Sequence, residues 1–393
     1  MTHQLWFGKP GQAGWEFASR HQSKAAAVVL AFVVLLDIAA PQSSADDAEC
    51  AGARTAETAI LRCSDAISSG GLSNEALAYA HARRGGAYYE RGETDRALGD
   101  LDRAIALKGN FTEAFINRGI LHRVKGENDR ALHDFDEAIR LRPDDPEVFL
   151  QRGLVYRARG EIDRAIDDFS QAIRLKSDYP EALGNRGHAY WSKEQFDRSI
   201  GDYNQALQLK PDLTEVLYGR ANAYRSRGES DRALKDYERV VQLDPGHYRA
   251  YYWQGYIHLL RGDSSRSIIA FRQGVQASSR DPWTALWLYV AQSRAGEDGR
   301  QELAANTSQF DHARWPAPLI ELFLGKRSVE SVFSSASDAR RLCHSYFFAG
   351  EFELLRQRFS AARQMFTNAV RVCARNGAES VAARSGLDRL TIP

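Results

Sequence analysis

Five arginines, Arg84, Arg118, Arg152, Arg186 and Arg220, recur every 34 residues. Five aspartates, Asp100, Asp134, Asp168, Asp202 and Asp236, recur with the same period. Such a set can do two things. The guanidiniums can form a ladder for an acidic ligand, or each can pair with an aspartate on a neighbouring helix. Equal periods and opposite charges favour pairing, which is expected to fix register more than it adds stability. Catalysis has no comparable set. The ten histidines are scattered, with no His-Glu-x-x-His pair, no Gly-x-Ser-x-Gly elbow and no Gly-x-x-x-x-Gly-Lys phosphate loop. Asp129, Asp163 and Asp231 stand beside Arg130, Arg164 and Arg232, the mark of an exposed, ion-paired helix face. Neither a catalytic residue, a metal ligand nor a cofactor is expected.

A further periodic set is suited to recognition. Tyr89, Arg123, Arg157, Trp191 and Arg225 share one register. Leu154, His188, Asn222 and Tyr256 share another one turn earlier, and Asn117, Gln151 and Asn185 a third. Amides pair with a peptide backbone, guanidiniums with carboxylates, and Trp191 or Tyr256 with apolar side chains. These residues are expected to line a partner groove; the competing reading is a solvated face with long basic side chains.

The elements that must position them follow from the same period. In Gly153–Ala172, the landmarks Gly153, Gly160, Ala165, Phe169 and Ala172 repeat as Gly119, Gly126, Ala131, Phe135 and Ala138, and again as Gly85, Gly92, Ala97, Leu101 and Ala104. A 34-residue unit is the length of one helix–turn–helix repeat of a solenoid. Small, large and small residues three or four apart form one helical stripe. The small ones allow close approach, and the large one fills the space beside them. Tyr88, His122, Tyr156, Tyr190, Tyr224 and His258 share a ring position, where the two histidines are expected to pack. Pro143, Pro180, Pro211 and Pro245 separate the units. Glu194 stands where other turns have glycine, so that turn either avoids the left-handed conformation or adopts it at a cost.

With these landmarks the chain resembles the tetratricopeptide repeat family. That resemblance implies an all-α, right-handed superhelical solenoid that binds proteins or peptides in a concave groove and performs no chemistry. The Lys/Asn carboxylate-clamp pattern of the family is not reproduced. The organisation expected is an export segment over 1–45, a partial helical repeat over 46–76, six repeats over 77–280 and a helical C-terminal cap over 281–393. Thr55–Ile67 reads as the helix of the partial repeat, and Glu302–Phe310 as a helix of the cap. Gly350, Ala362, Phe366 and Ala369 there hold the spacing of a last hairpin. Trp315-Pro316, the run Leu319–Lys326 and that hairpin resemble the NlpI-type tetratricopeptide lipoproteins of Gram-negative envelopes. This second resemblance implies partners such as cell-wall hydrolases or a periplasmic protease.

Arg20 and Lys24 precede the apolar run Ala25–Leu36, followed by small residues up to Ala45. The pattern is that of a signal peptide. As helix the run rises about 18 Å, short of the roughly 30 Å hydrocarbon core. An uncleaved N-terminal anchor is the alternative, and either reading puts the body outside the cytoplasmic membrane, in the periplasm or secreted. Cys50 lacks the residues that precede a lipidated cysteine. Four cysteines in an exported chain suggest disulfides, and pairing of Cys50 with Cys63 and of Cys343 with Cys373 would staple the two ends; free thiols are the alternative. The 393 residues are 44% hydrophobic and 26% charged, with 52 Lys and Arg against 51 Asp and Glu. This balance gives no global reason to bind nucleic acid or an anionic membrane. A different function class, an envelope enzyme or glycan-binding protein, would use the aromatic C-terminal region, where Tyr251, Tyr252, Trp253, Tyr256, Trp283, Trp287 and Tyr289 crowd a short span.

Overall fold

The computed structural model describes Cys50 and residues 52–278, 280–374 and 377–390. The expected export segment, 1–45, lies outside the described residues. Among the described residues there are twenty α-helices and no strand, the architecture that the 34-residue period implies. The chain divides into two compact units, one ending at Lys210 and the other beginning at Pro211. That division falls inside the repeats, since compactness follows contacts and the sequence boundaries follow changes of pattern.

The first unit opens with α1 (Ala56–Ser69), capped by Thr55 and ended by Gly70 in the left-handed region. Four hairpins follow: α2 (Asn74–Glu90) with α3 (Thr94–Leu107), α4 (Thr112–Lys125) with α5 (Asn128–Leu141), α6 (Pro146–Ala158) with α7 (Ile162–Leu175), and α8 (Pro180–Ser192) with α9 (Phe196–Leu209). Pro146 and Pro180 begin α6 and α8, where a missing N–H costs nothing. Within α6–α7 the expected stripe is buried completely: Ala165, Phe169 and Ala172 have no exposed surface. A Cβ at Gly153 would lie 2.7 Å from Phe169 Cε1. Only glycine lets the ring lie that close to the facing backbone. Gly160 turns the hairpin at φ 76°, and Glu194 adopts φ 59° at the equivalent place. Of the two expectations for that turn, the left-handed one holds.

The periodic arginines and aspartates are paired. Arg152 donates from Nε and Nη2 to the two carboxylate oxygens of Asp168, each at 2.8 Å, and from Nη1 to Asp136 of the preceding second helix at 2.7 Å. Arg118 binds Asp134 and Asp102 in the same way. Arg84 and Arg186 replace the second acceptor with Ser64 and Ser170. Each guanidinium thus clamps its own hairpin and ties it to the preceding second helix. Burial pushes the Asp168 carboxyl up, against the pull of Arg152. The exposed edge follows a different rule from the one adjacency suggests. Asp129 and Asp163 pair with Arg159 and Lys193 of the next turn, while Arg130 and Arg164 pair with Glu127 and Glu161. Neighbours in sequence point about 100° apart on a helix, so they do not face each other.

The second unit contains α10 (Thr214–Ser226), α11 (Ser230–Leu243), α12 (Tyr248–Leu260), α13 (Ser264–Ala277) and α14 (Pro282–Arg294). After these come α15 (Arg300–Asn306), α16 (Ala317–Phe323), α17 (Val329–Ser334), α18 (Ala339–Leu355), α19 (Phe359–Val372) and α20 (Ala378–Arg389). Of the crowded aromatics, Trp287 and Tyr289 are core, and Tyr252, Trp253 and Trp283 pack half-buried against it. Trp287 is fully buried, with ring centroids of Phe347 and Tyr256 5.0 and 5.4 Å away. Phe366 is held between two glycines, since a Cβ at Gly350 or Gly386 would approach it to 2.6 or 2.8 Å. The α18–α19 pair is therefore the last hairpin that the spacing predicts, with Gln357 at φ 59° in its turn. Both expected cysteine pairs are joined, Cys50–Cys63 with sulfurs 2.05 Å apart and Cys343–Cys373 at 2.15 Å.

Candidate partner-binding face

The recognition set lies on the first helices, and the 34-residue register joins consecutive first helices where Arg157 meets Asn185. In the first unit the best-defined rung joins Arg157 at the end of α6 to Asn185 on α8: Arg157 Nη1 donates to Asn185 Oδ1 at 2.7 Å. Asn185 in turn donates to the Glu181 carbonyl at 2.8 Å. One repeat earlier the same register sets Arg123 against Gln151. There the amide turns the other way, donating to Glu147 Oε1 at 2.6 Å, and the second Glu147 oxygen accepts from the Tyr179 hydroxyl. Gln151 Oε1 and Arg123 Nε are left with no protein partner. A further repeat back, Tyr89 stands opposite Asn117, which is 1% exposed; neither Asn117 Oδ1 nor Nδ2 has a protein partner.

The electrostatics of this face are set by two largely desolvated guanidiniums. Burial pushes the Arg157 guanidinium down to about 10, and the like charge of Arg123 adds to the effect. Burial also lowers Arg123, against the opposing influence of Tyr89 and Glu147. His188 is driven down to about 3 by burial and then by Arg157, so it is neutral at physiological pH. Its ring packs 5.8 Å from Trp191, whose Nε1 has no partner. Leu154 is half-buried beside them, packed on the α6–α7 core.

In the second unit Arg225 lies over the Trp253 ring, 3.8 Å from its centroid, a close cation–π contact. Asn222 Oδ1 accepts from the Tyr237 hydroxyl at 2.8 Å. Tyr256 is not available to a partner. It is 3% exposed and its hydroxyl donates to the Ala378 carbonyl at 2.8 Å, because α20 covers this part of α12. The expectation that Tyr256 lines a groove is therefore corrected: its register is right, but the chain's own C-terminal helix occupies the position.

Family models of tetratricopeptide repeats match residues 82–146, 153–194, 180–213 and 218–282. The repeat region is a tetratricopeptide array. Its fold is shared with PilF of Pseudomonas aeruginosa, at 15% identity and a TM-score of 0.50 over 56% of this chain and 99% of that one. A tetratricopeptide protein from Parabacteroides merdae matches at 20% identity and TM-score 0.47, covering 60% of this chain and 92% of its own. YrrB, described as a TPR protein with an unusual peptide-binding site, matches at 19% identity and TM-score 0.40 over 48% of this chain and 95% of its own. The comparison with curated proteins returns no match. The NlpI-type resemblance finds no counterpart among the three.

Tetratricopeptide arrays generally serve as protein-interaction scaffolds. Among the described residues, no group of three or more His, Cys, Asp or Glu is placed to hold a metal, and no helix is long and apolar enough to cross a membrane. Two components of the face escape the sequence reading. Trp253 continues the Asn117–Gln151–Asn185 register four periods on from Asn117, so extending the count would have found it. Glu147 gives no such signal, since its role follows from the rotamer that Gln151 adopts.

Proposed function

We propose that the chain is an exported, non-catalytic adaptor that holds a protein or peptide partner along its first helices, over the half-buried Tyr89, Arg123, Leu154 and Trp191. One observation carries this reading. Buried polar atoms with no protein partner recur at the repeat spacing in two registers, Asn117 Oδ1 and Nδ2 with Gln151 Oε1 one period on, and Arg123 Nε with Trp191 Nε1 two periods on. Leaving buried polar groups unmatched costs about 1–3 kcal/mol each, and a bound peptide supplies the missing donors and acceptors. Export is supported by the basic flank, apolar run and small residues of 20–45, and by four cysteines placed as two end staples. Cell-wall hydrolases and a periplasmic protease are the first partners to test.

Of the aromatics that the catalytic or glycan-binding alternative would use, Tyr256, Trp287 and Tyr289 are committed to packing, and Tyr251, Tyr252, Trp253 and Trp283 are half-buried. Pulldown with residues 46–393 from a periplasmic extract tests the adaptor reading. Specific recovery of a protein supports it. Recovery of none, together with binding or turnover of peptidoglycan, overturns it.

A further inference from the structure

The turns of the six repeat hairpins follow one electrostatic rule. The residue at the cap of each second helix is an acid or an amide. It engages the arginine three residues on, from Glu93 with Arg96 to Asp263 with Arg266. The last hairpin, α18–α19, reverses the rule. Arg358 stands at the cap of α19, and Ala361 takes the place of the arginine. Between Glu353 and Glu379 the chain carries five arginines and no acid, although the protein as a whole is balanced. α13 also lacks acids, but its Arg266 and Arg272 reach Asp263 and Glu302. Around the α18–α19 turn, Arg356 lies 5.4 Å from the Phe352 ring centroid, and Arg363 donates to the Leu390 carbonyl at 2.7 Å. Of these three guanidiniums only that of Arg358 meets a carboxylate, Glu353 at 3.5 Å. Residues 355–360 are exposed without a break. Leu355 and Phe359 are 40% and 57% exposed, whereas Ile162 and Phe196, at the place of Phe359 in α7 and α9, are half-buried.

We propose that the turn of the last hairpin docks the protein peripherally on an anionic phospholipid bilayer. Leu355 and Phe359 enter the boundary between headgroups and acyl chains, and Arg356, Arg358 and Arg363 bind lipid phosphates. Charge complementarity selects the occupant. Guanidiniums pair with phosphate through two parallel hydrogen bonds, and no acid in this stretch repels an anionic surface. The apolar content selects a bilayer over a protein. A stable protein interface covers roughly 800 Å² per partner, more than two side chains at a turn supply. A bilayer surface is held by a few inserted apolar groups together with flanking cations. The neutral balance of the whole chain gives no such attraction, so the docking is local to this turn. It uses none of the recognition residues of the first helices and does not rest on the adaptor reading.

The test is cosedimentation of residues 46–393, which hold every described residue, with vesicles of phosphatidylcholine alone or with roughly 30% phosphatidylglycerol. The anionic vesicles are expected to bind about tenfold more tightly, and less so as salt rises from about 50 to 300 mM. Arg356→Gln/Arg358→Gln and Leu355→Ser/Phe359→Ser are each expected to weaken that binding about tenfold. The exposed, ion-paired Arg130→Gln should leave it unchanged. Phe359→Trp is expected to keep the binding and to add an emission that shifts to the blue on anionic vesicles. All these positions are exposed, so an unchanged Tm shows that the variants are folded. Equal binding to both vesicles, binding to neither, or binding that survives both double substitutions overturns the proposal. Release by inorganic phosphate at about 10 mM would mean a simple anion site and overturns it too, since a bilayer offers many phosphates at once. If vesicles are ignored while a pulled-down acidic protein is lost with Arg356→Gln/Arg358→Gln, the turn is a protein contact, the bilayer is wrong and the adaptor reading stands.

Discussion

The substitution Gly153→Ala tests the packing logic of the array most directly. The added methyl would lie 2.7 and 2.9 Å from Phe169 Cε1 and Cδ1 and 3.2 Å from Asp168 Cβ, against the usual carbon–carbon contact of about 3.5–4.0 Å. Overpacking of this kind costs about 1–3 kcal/mol, offset by the roughly 0.5–1 kcal/mol that Ala gains over Gly within a helix. A net loss of about 1–2 kcal/mol is expected. The first repeat shows how to ease it: where Leu101 replaces the ring, a Cβ at Gly85 would meet Leu101 Cγ at 3.4 Å, with the Ala97 carbonyl oxygen at 3.1 Å and Asp100 Cβ at 3.3 Å still tight. In a Phe169→Leu background, Gly153→Ala should therefore cost clearly less, by about 1 kcal/mol. Ala221 opposite Tyr237 shows that a hairpin built around the methyl can carry it, which makes the coupling a property of the pair. Long arrays need not unfold in two states, so the readout is native-state hydrogen exchange of the α6 and α7 amides alongside urea unfolding. An effect of Gly153→Ala that is the same in both backgrounds would refute the argument.

Three further outcomes follow from the same structure. Asp168→Ala leaves Arg152 buried without its bidentate acceptor and should cost about 3–5 kcal/mol, whereas Arg152→Met with Asp168→Leu should cost far less; urea midpoints compare them. His188 has its pKa depressed to about 3 from 6.5, so its charged form is disfavoured in the folded state. Its contribution is fully present above about pH 6.5 and fades as pH falls towards 3, by about 2 kcal/mol at pH 5. His188→Gln should flatten that part of the stability profile, and a profile unchanged by the substitution contradicts the buried neutral imidazole. Glu194→Gly relieves a left-handed residue at φ 59° on the exposed turn and should raise stability by up to about 1 kcal/mol, whereas Gly126→Ala should lower it; thermal melts decide.

Sequence alone determined the periodic part of this protein. The 34-residue spacing placed the hairpins, the Gly153–Phe169 contact and the pairing of Arg152 with Asp168, because each depends on residues whose separation along the chain fixes their separation in space. The end staples were legible for a related reason, since each joins cysteines on elements that pack as neighbours. Only the tertiary structure decided what happens where register is shared but surroundings differ. Arg157 finds Asn185, Arg123 finds no amide because Gln151 turns to Glu147, and Tyr256 is covered by α20, whose position no spacing in the repeats announces. A helical register sets the direction in which a side chain leaves the backbone. Which group meets it there depends on rotamers and on helices distant in sequence, and those are settled only when the chain packs.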